Sequence, residues 1–281
     1  MEIKAPDVKA LREKTGAGMM DCKKALVEAK GDFAKAEKIL KELGLAAAQK
    51  RAGRATKEGR VFSRISDGRG VLLELTCETD FVAKNKEFIA LGETLAELAV
   101  AKGSSAQPED FTSHVQDVVG RIKENITLRR LNVLDAGAND LIMDYIHGEG
   151  KIGVMVKFSL SDSSLKDNAK VKEVGFDLTL HTAAFAPLFL TRDKVPGEYL
   201  KEQEEIFTKQ AEKLGKPENV VKGIIQGKLN KHLAEICFVD QPFVKDQNLK
   251  VTKVLEALSK EIGGTVEIGE YLYYKVGEEI E

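Results

Sequence analysis

Cysteine is scarce: Cys22, Cys77 and Cys237 are odd in number and far apart, with no Cys-x-x-Cys pair. Neither a disulfide framework nor a zinc ribbon is indicated, and each is expected to be a buried free thiol. An excess of one charge is also missing, since 43 Lys and Arg stand against 45 Asp and Glu, a formal net charge of −2. Phosphate neutralisation needs a clear surplus of Lys and Arg on one face, so nonspecific nucleic-acid binding is not expected. No apolar run approaches the roughly 20 residues of a membrane span, and Met1-Glu2-Ile3-Lys4 opens without an apolar signal core. Together these point to a soluble protein of a reducing cytoplasm, with no membrane partner.

Histidines number four, and none has sequence support as a base for Cys77, beside which Glu78 sits. A nucleophilic enzyme is therefore the weaker reading, and neither a cofactor nor a metal is expected. What is present is ample core material. With 43% hydrophobic and 31% charged residues in 281, the chain can form one large or two to three small domains.

In residues 6–43 the pattern predicts three short helices, with Pro6 in a first turn and breaks at Gly16, Gly18, Gly31 and Gly44. Val8 and Leu11, then Cys22, Leu26 and Ala29, then Phe33, Ala36, Leu40 and Leu43 give compatible apolar faces for a small bundle over 1–45. Met19-Met20 beside the two glycines offer flexible apolar surface for a partner, or else fill that small core. Residues 46–60 read as a partly helical linker. Its Lys50, Arg51, Arg54, Lys57 and Arg60 lack interleaved aromatics and suit a solvated face.

Two alternating segments, 61–65 and 71–77, flank Asp67-Gly68-Arg69-Gly70 and predict an antiparallel hairpin. Val71, Leu73, Leu75 and Cys77 point to one side, after which Phe88, Leu91, Leu95 and Leu98 recur at helical spacing. Thr79-Asp80-Phe81 therefore caps a strand-to-helix junction. Local physics favours Asp80 as an N-cap and Phe81 as a staple or core residue. Helices are predicted over 82–102 and 111–131, the second burying Phe111, Val115, Val118 and Ile122. A second hairpin, 141–147 with 152–160, turns at Gly148-Glu149-Gly150, and a helix through Val171, Val174, Leu178, His181 and Phe185 continues to Pro187.

Hairpin-then-helix thus occurs twice, suggesting a duplicated α+β unit with antiparallel sheets, divided as 61–140 and 141–281. His181 lies on an apolar face and suits the core. An antiparallel helical hairpin at about 196–233 turns through Gly215-Lys216-Pro217. In it Phe207, Ala211 and Leu214 can face Val221, Ile225 and Leu229. A last helix over 251–262 and a strand over 266–276 complete the chain.

Two stretches carry a resemblance. The run from Leu11 to Leu26, with Thr15-Gly16-Ala17-Gly18-Met19-Met20-Asp21-Cys22 at its centre, is similar to the first signature of bacterial elongation factor Ts. The run Glu74-Leu75-Thr76-Cys77-Glu78-Thr79-Asp80-Phe81-Val82 resembles the second, departing from it at Thr76, where that family usually has Asn. The end of the predicted helix, 122–130, and Tyr145-Ile146-His147-Gly148 also look like that family, as does the helical hairpin.

The resemblance covers nearly the whole chain and implies a guanine nucleotide exchange factor for elongation factor Tu, without covalent chemistry of its own. It implies that the first bundle is similar to a ubiquitin-associated domain and docks on the G domain. It further implies that Thr79, Asp80, Phe81 and Val82 form a wedge that disturbs the magnesium and phosphate site. Met19, Met20, Ile122 and His147 would bind the GTPase, in its GDP-bound and nucleotide-free states. In longer members a further helix comes after the stretch resembling Val276-Gly277-Glu278-Glu279-Ile280, and this sequence stops at Glu281. The rival is an adaptor or chaperone using the bundle as a general docking module. Whether the helical hairpin makes a homodimer stays open.

Overall fold

The computed structural model describes residues 3–215 and 217–279. Met1 and Glu2 of the opening segment, Lys216 of the helical-hairpin turn, and Ile280 and Glu281 at the end lie outside the described residues. Helices α1 (Ala5–Thr15), α2 (Met19–Glu28) and α3 (Phe33–Arg51) form the bundle. Pro6 sits in the first turn of α1, which ends at left-handed Gly16, and Asp32 caps α3 by accepting the Lys35 N–H at 3.1 Å. Val8, Leu11, Cys22, Ala25, Leu26, Ala29 and Ala36 close its core.

Helix α3 does not break at Gly44 but runs on to Arg51, so Ala46 to Arg51 are helical and only 52–57 separate α3 from the first strand. A glycine inside a helix costs about 1 kcal/mol relative to alanine. Here it serves close packing: a Cβ built on Gly44 would lie 3.6 Å from the Cα of Gly120 in another helix. One turn further, Ala48 is buried in the core of the following sheet.

That sheet has strands β1 (Glu58–Ser66), β2 (Arg69–Cys77) and β3 (Ile126–Asp135) in the order β1-β2-β3. Asp67 and Gly68 join the first two with φ of 52° and 71°, the paired left-handed conformation that a two-residue hairpin requires. Between β2 and β3 come the one-turn helix α4 (Asp80–Ala83), α5 (Lys86–Lys102) and α6 (Thr112–Ile122). Phe88, Leu91, Leu95 and Ala99 of α5 and Phe111, Val115 and Val118 around α6 pack on Val71, Leu73, Leu75 and Cys77. Leu98, expected on that stripe, is instead exposed.

The expected helix over 111–131 is wrong in its second half. Left-handed Lys123 ends α6, and Ile126 and Leu128 pair antiparallel with Cys77 and Leu75. Buried Ile126 and Leu128 flank exposed Thr127, which is strand periodicity over a span too short to decide without the β2 partner.

The second sheet runs β4 (Asp140–His147), β5 (Ile152–Leu160) and β8 (Val266–Lys275), in the order β4-β5-β8. Between β5 and β8 lie α7 (Ala169–Phe185), the helical hairpin α8 (Gly197–Glu212) and α9 (Glu218–Ile236), a small antiparallel pair β6 (Pro242–Phe243) and β7 (Asp246–Lys250), and α10 (Val251–Ile262). In both sheets a hairpin leads into helices, and a third strand returns beside the hairpin's second strand, so the duplicated α+β order is present.

Among the described residues two compact units result: 3–135 with 146–153 and 274–279, and 136–145 with 154–215 and 217–273. The second has its own core of Val156, Phe158, Leu160, Val171, Leu178, Phe238 and Phe243, with His181 fully buried as expected. In the helical hairpin Ala211 is buried, but Phe207 meets the His232 ring at 5.9 Å and Leu214 is 52% exposed rather than facing α9.

Candidate functional site

Strand β2 ends at Cys77, and two successive caps shape the turn beyond it. The Thr79 hydroxyl accepts the Val82 N–H at 3.3 Å to start α4, and the Asn85 side chain accepts the Glu87 N–H at 2.7 Å to start α5. One continuous helix from 82 to 102 is thereby replaced by a turn and a fresh start. Thr79, not Asp80, is the N-cap. Asp80 is the first helical residue, its carboxylate exposed and 3.6 Å from Lys84.

This one-turn geometry sorts the four expected wedge residues. Val82 and the adjoining Ala83 are buried in the core, Thr79 is half-buried, and Asp80 is exposed. Phe81 is 82% exposed, so it is neither a staple nor a core residue. An aromatic ring held in water on a short, anchored turn is the most conspicuous apolar feature of the first unit.

The tip is fixed by the loop between α6 and β3. Glu124 accepts the Thr79 hydroxyl at 2.8 Å and the Thr79 N–H at 3.1 Å. In return Glu78 accepts the Asn125 N–H at 2.7 Å, while the Asn125 amide donates to the Arg54 carbonyl at 2.7 Å. The Cys77 thiol donates to the Thr79 carbonyl at 3.1 Å. Burial, helped by nearby Glu124, pushes that thiol up to about 12. A thiol raised in this way is held in its protonated, less nucleophilic form at neutral pH.

Lys123, in the same loop, bonds Asp21 at 2.9 Å, next to Met20 at the start of α2. Met19 and Met20 are 45% and 62% exposed, so they do not fill the bundle core. Ile122 is half-buried, one side packed against the core of the first sheet. On the other flank, the β4–β5 turn has Gly148, Glu149 and Gly150 all left-handed, and the Val61 N–H donates to the Gly150 carbonyl at 2.8 Å. Glu58, Arg60, Asp80, Lys84, Gly148, Glu149 and Lys151 line a depression of about 240 Å³ there. Exposed His147 precedes this turn.

The structure thus gathers the tip, the 123–125 loop, the bundle's methionine pair and the β4–β5 turn within one compact unit. Glu78, Lys123, Glu124 and Asn125 were not anticipated. The only signal for the last three was their place in the 122–130 stretch, and a helix there would have carried Glu124 away from Thr79. Among the described residues there is no cluster of three or more His, Cys, Asp or Glu able to hold a metal, and no helix long and apolar enough to cross a membrane.

The family model described as Elongation factor TS matches residues 78–278, from just before the tip to one residue short of the last one described. The chain belongs to the elongation factor Ts family. Its relatives include the elongation factor Ts of Treponema denticola, 46% identical over 277 residues that cover 99% of each chain. Those of Borrelia recurrentis, 47% identical over 278 residues, and Borreliella burgdorferi, 46% identical over 279, are covered completely by 99% of this chain. These matches include the bundle, which the family model does not reach. The chain is accordingly a translation elongation factor, acting in protein biosynthesis.

Proposed function

We propose that this chain is the guanine nucleotide exchange factor of elongation factor Tu and works by inserting the Phe81 tip beside the GTPase's magnesium site. The observation that carries the reading is a large aromatic ring, 82% exposed, on a turn whose backbone is bonded at Thr79, Val82, Ala83 and Lys84. A GTPase holds GDP through a phosphate loop and a magnesium ion. A rigid apolar wedge with the Asp80 carboxylate at its base is incompatible with that arrangement. No covalent step is required of the tip.

Linkage then sets the cycle. Whatever the bound factor does to GDP affinity, GDP does equally to the factor's affinity, so the nucleotide-free GTPase is held tightly and fresh nucleotide releases it. Met19 and Met20 supply adaptable apolar contact with the G domain, and His147 approaches the same partner from the flank. Ile122, half-buried at the end of α6, offers its remaining exposed side to the same partner. The magnesium belongs to the partner, the chain needs no cofactor of its own, and its place of work is the cytoplasm. Exposed Ile206, Leu214 and Val220 support the helical hairpin as an accessory contact surface, and sedimentation of polar variants there tests whether it pairs two copies.

Stopped-flow release of a fluorescent GDP from elongation factor Tu, with and without the chain, tests the reading. Acceleration that Phe81→Ala lowers by roughly one to two orders of magnitude is expected. An unaccelerated release would remove the exchange reading, and recovery of many unrelated proteins in a pull-down would favour the adaptor.

A further inference from the structure

We infer that Glu124 is the positioning residue of the exchange tip: it sets the direction of Phe81 without itself touching the partner. The inference rests on the wedge reading and adds the device that makes the wedge stiff.

The hydrogen-bond arithmetic singles out Thr79. Its hydroxyl has one proton, which goes to Glu124 at 2.8 Å, leaving a lone pair for the Val82 N–H at 3.3 Å. The second Glu124 oxygen takes the Thr79 N–H at 3.1 Å. Since the Thr79 carbonyl accepts the Ala83 N–H at 3.2 Å and the Cys77 thiol at 3.1 Å, every polar group of Thr79 has a partner. Rotating the hydroxyl toward water would break the carboxylate bond and misalign the cap together.

Bonds to an ionised acceptor are about twice as strong as neutral ones, and a bidentate pair fixes orientation as well as energy. A four-residue helix has too few internal bonds to hold its own direction. Phe81 lies between the two residues this clamp controls, Thr79 and Val82. Its backbone direction therefore follows from the carboxylate.

The clamp is crossed. Residues 78–79 and 124–125 exchange two carboxylate-to-amide bonds, Glu124 with Thr79 and Glu78 with Asn125, so the loop and the tip cannot slide past one another. Lys123, left-handed at φ 67°, ends α6 at that point and holds Asp21 at the start of α2. The wedge is thereby referred to the same rigid loop as the methionine pair. An insertion that needs an aligned aromatic loses rate when its angle is free, while docking through Met19 and Met20 continues.

The test is a double-mutant cycle on GDP release, with Glu124→Ala, the isosteric Glu124→Gln, Phe81→Ala and the double variants in the full chain. Glu124→Ala is expected to slow release about tenfold with little change in affinity for the nucleotide-free GTPase, and Glu124→Gln by less. In the Phe81→Ala background both substitutions should add almost nothing, because the residue they aim is gone. Amide exchange at Thr79 and Val82 should quicken in Glu124→Ala while global unfolding stays near that of the unaltered chain. Full-rate release by Glu124→Ala, or an additive loss on top of Phe81→Ala, would overturn the positioning role. Full-rate release by Phe81→Ala would instead overturn the wedge. Unchanged protection of Thr79 and Val82 in Glu124→Ala would still count against Glu124 by itself.

Discussion

Glu78 grips Asn125 and Glu124 grips Thr79, so carboxylates on two separate segments of the fold each hold the other segment's backbone. Each bond alone resembles an ordinary loop contact. Together they turn the end of β2 and the start of β3 into one body, and Phe81 projects from it.

The first consequence separates stability from function within one element. Phe81→Ala removes a ring that is 82% exposed, and the unfolding free energy should stay within about 0.5 kcal/mol of the unaltered chain. Phe88→Ala, a few residues on, empties a site that is fully buried against Phe62 and should cost about 3–5 kcal/mol. GDP release should show the reverse order per folded molecule, with Phe81→Ala slower by roughly one to two orders of magnitude. Urea unfolding beside stopped-flow release checks both. An early-melting Phe81→Ala with normal exchange would make the ring a structural residue.

At the neighbouring positions the cap assignment decides the outcome. Thr79→Ala removes the acceptor for the Val82 N–H and the donor to Glu124 and should cost about 1 kcal/mol or more. Asp80→Ala deletes only an exposed ion pair with Lys84, so its stability should be nearly unchanged. Any slowing of GDP release by Asp80→Ala then arises in the complex. If Asp80→Ala proved the more destabilising of the two, Thr79 would not be the cap.

How much of this was legible in the sequence depended on range. Val71, Leu73, Leu75 and Cys77 alternate, Asp67-Gly68 forms a two-residue turn, and 251–262 is a helix by periodicity, because local pattern suffices for each. Gly44 was misread as a breaker since its partner, Gly120, is distant in sequence. Ile126 and Leu128 looked like the tail of a helix until β2 supplied a strand to pair with. Leu214 was placed inward by spacing alone, but α8 ends at Glu212 and lets it turn outward. The tip was visible through its resemblance to a family signature. Glu124 was not, because a carboxylate acquires a role only from the donors that the fold brings to it.

The glycine crossing gives opposite expectations for two similar changes. Gly44→Ala places a methyl at ordinary contact distance, 3.6 Å from Gly120, and relieves a helix of a glycine, so it should be neutral or stabilise by up to about 1 kcal/mol. Gly120→Ala would bring its methyl to 3.0 Å from the Gly44 Cα, where backbone rather than a flexible side chain must yield. It should destabilise and loosen the bundle, which faster limited proteolysis between 52 and 57 would register. Deleting 1–44 cuts α3 in half and should therefore lower core stability as well as docking. A deletion variant that melts like the full chain would show that α3 is dispensable to the sheet.

Thiol chemistry provides an independent check on the enzyme reading. Cys22, Cys77 and Cys237 are all buried, and burial drives the Cys77 and Cys237 thiols upward, Cys77 to about 12. A thiol probe at neutral pH should label the native chain slowly and all three cysteines together once urea unfolds it. Fast, selective labelling of Cys77 would contradict both its burial and its bond to the Thr79 carbonyl.

In the second unit His181 should make stability fall with acid. The Val244 N–H donates to Nδ1 at 3.2 Å, which leaves the proton on Nε2 to meet the Gln241 carbonyl oxygen at 2.9 Å. Phe185, Phe238 and Phe243 stack around the ring. A second proton on Nδ1 would point at the Val244 N–H, and burial lowers the folded value below the ordinary 6.5, the Gln241 bond offsetting this only in part. The unfolded chain thus binds the proton more readily than the folded one. The contribution is present in full above the unfolded value and declines as pH falls from there through the folded value. Urea midpoints for the second unit, followed between about pH 7.5 and about pH 5, should drop on the acid side. His181→Phe should lose that part of the slope whatever its starting stability, since no proton can be taken up at the site. An undiminished slope in His181→Phe would assign the acid sensitivity elsewhere.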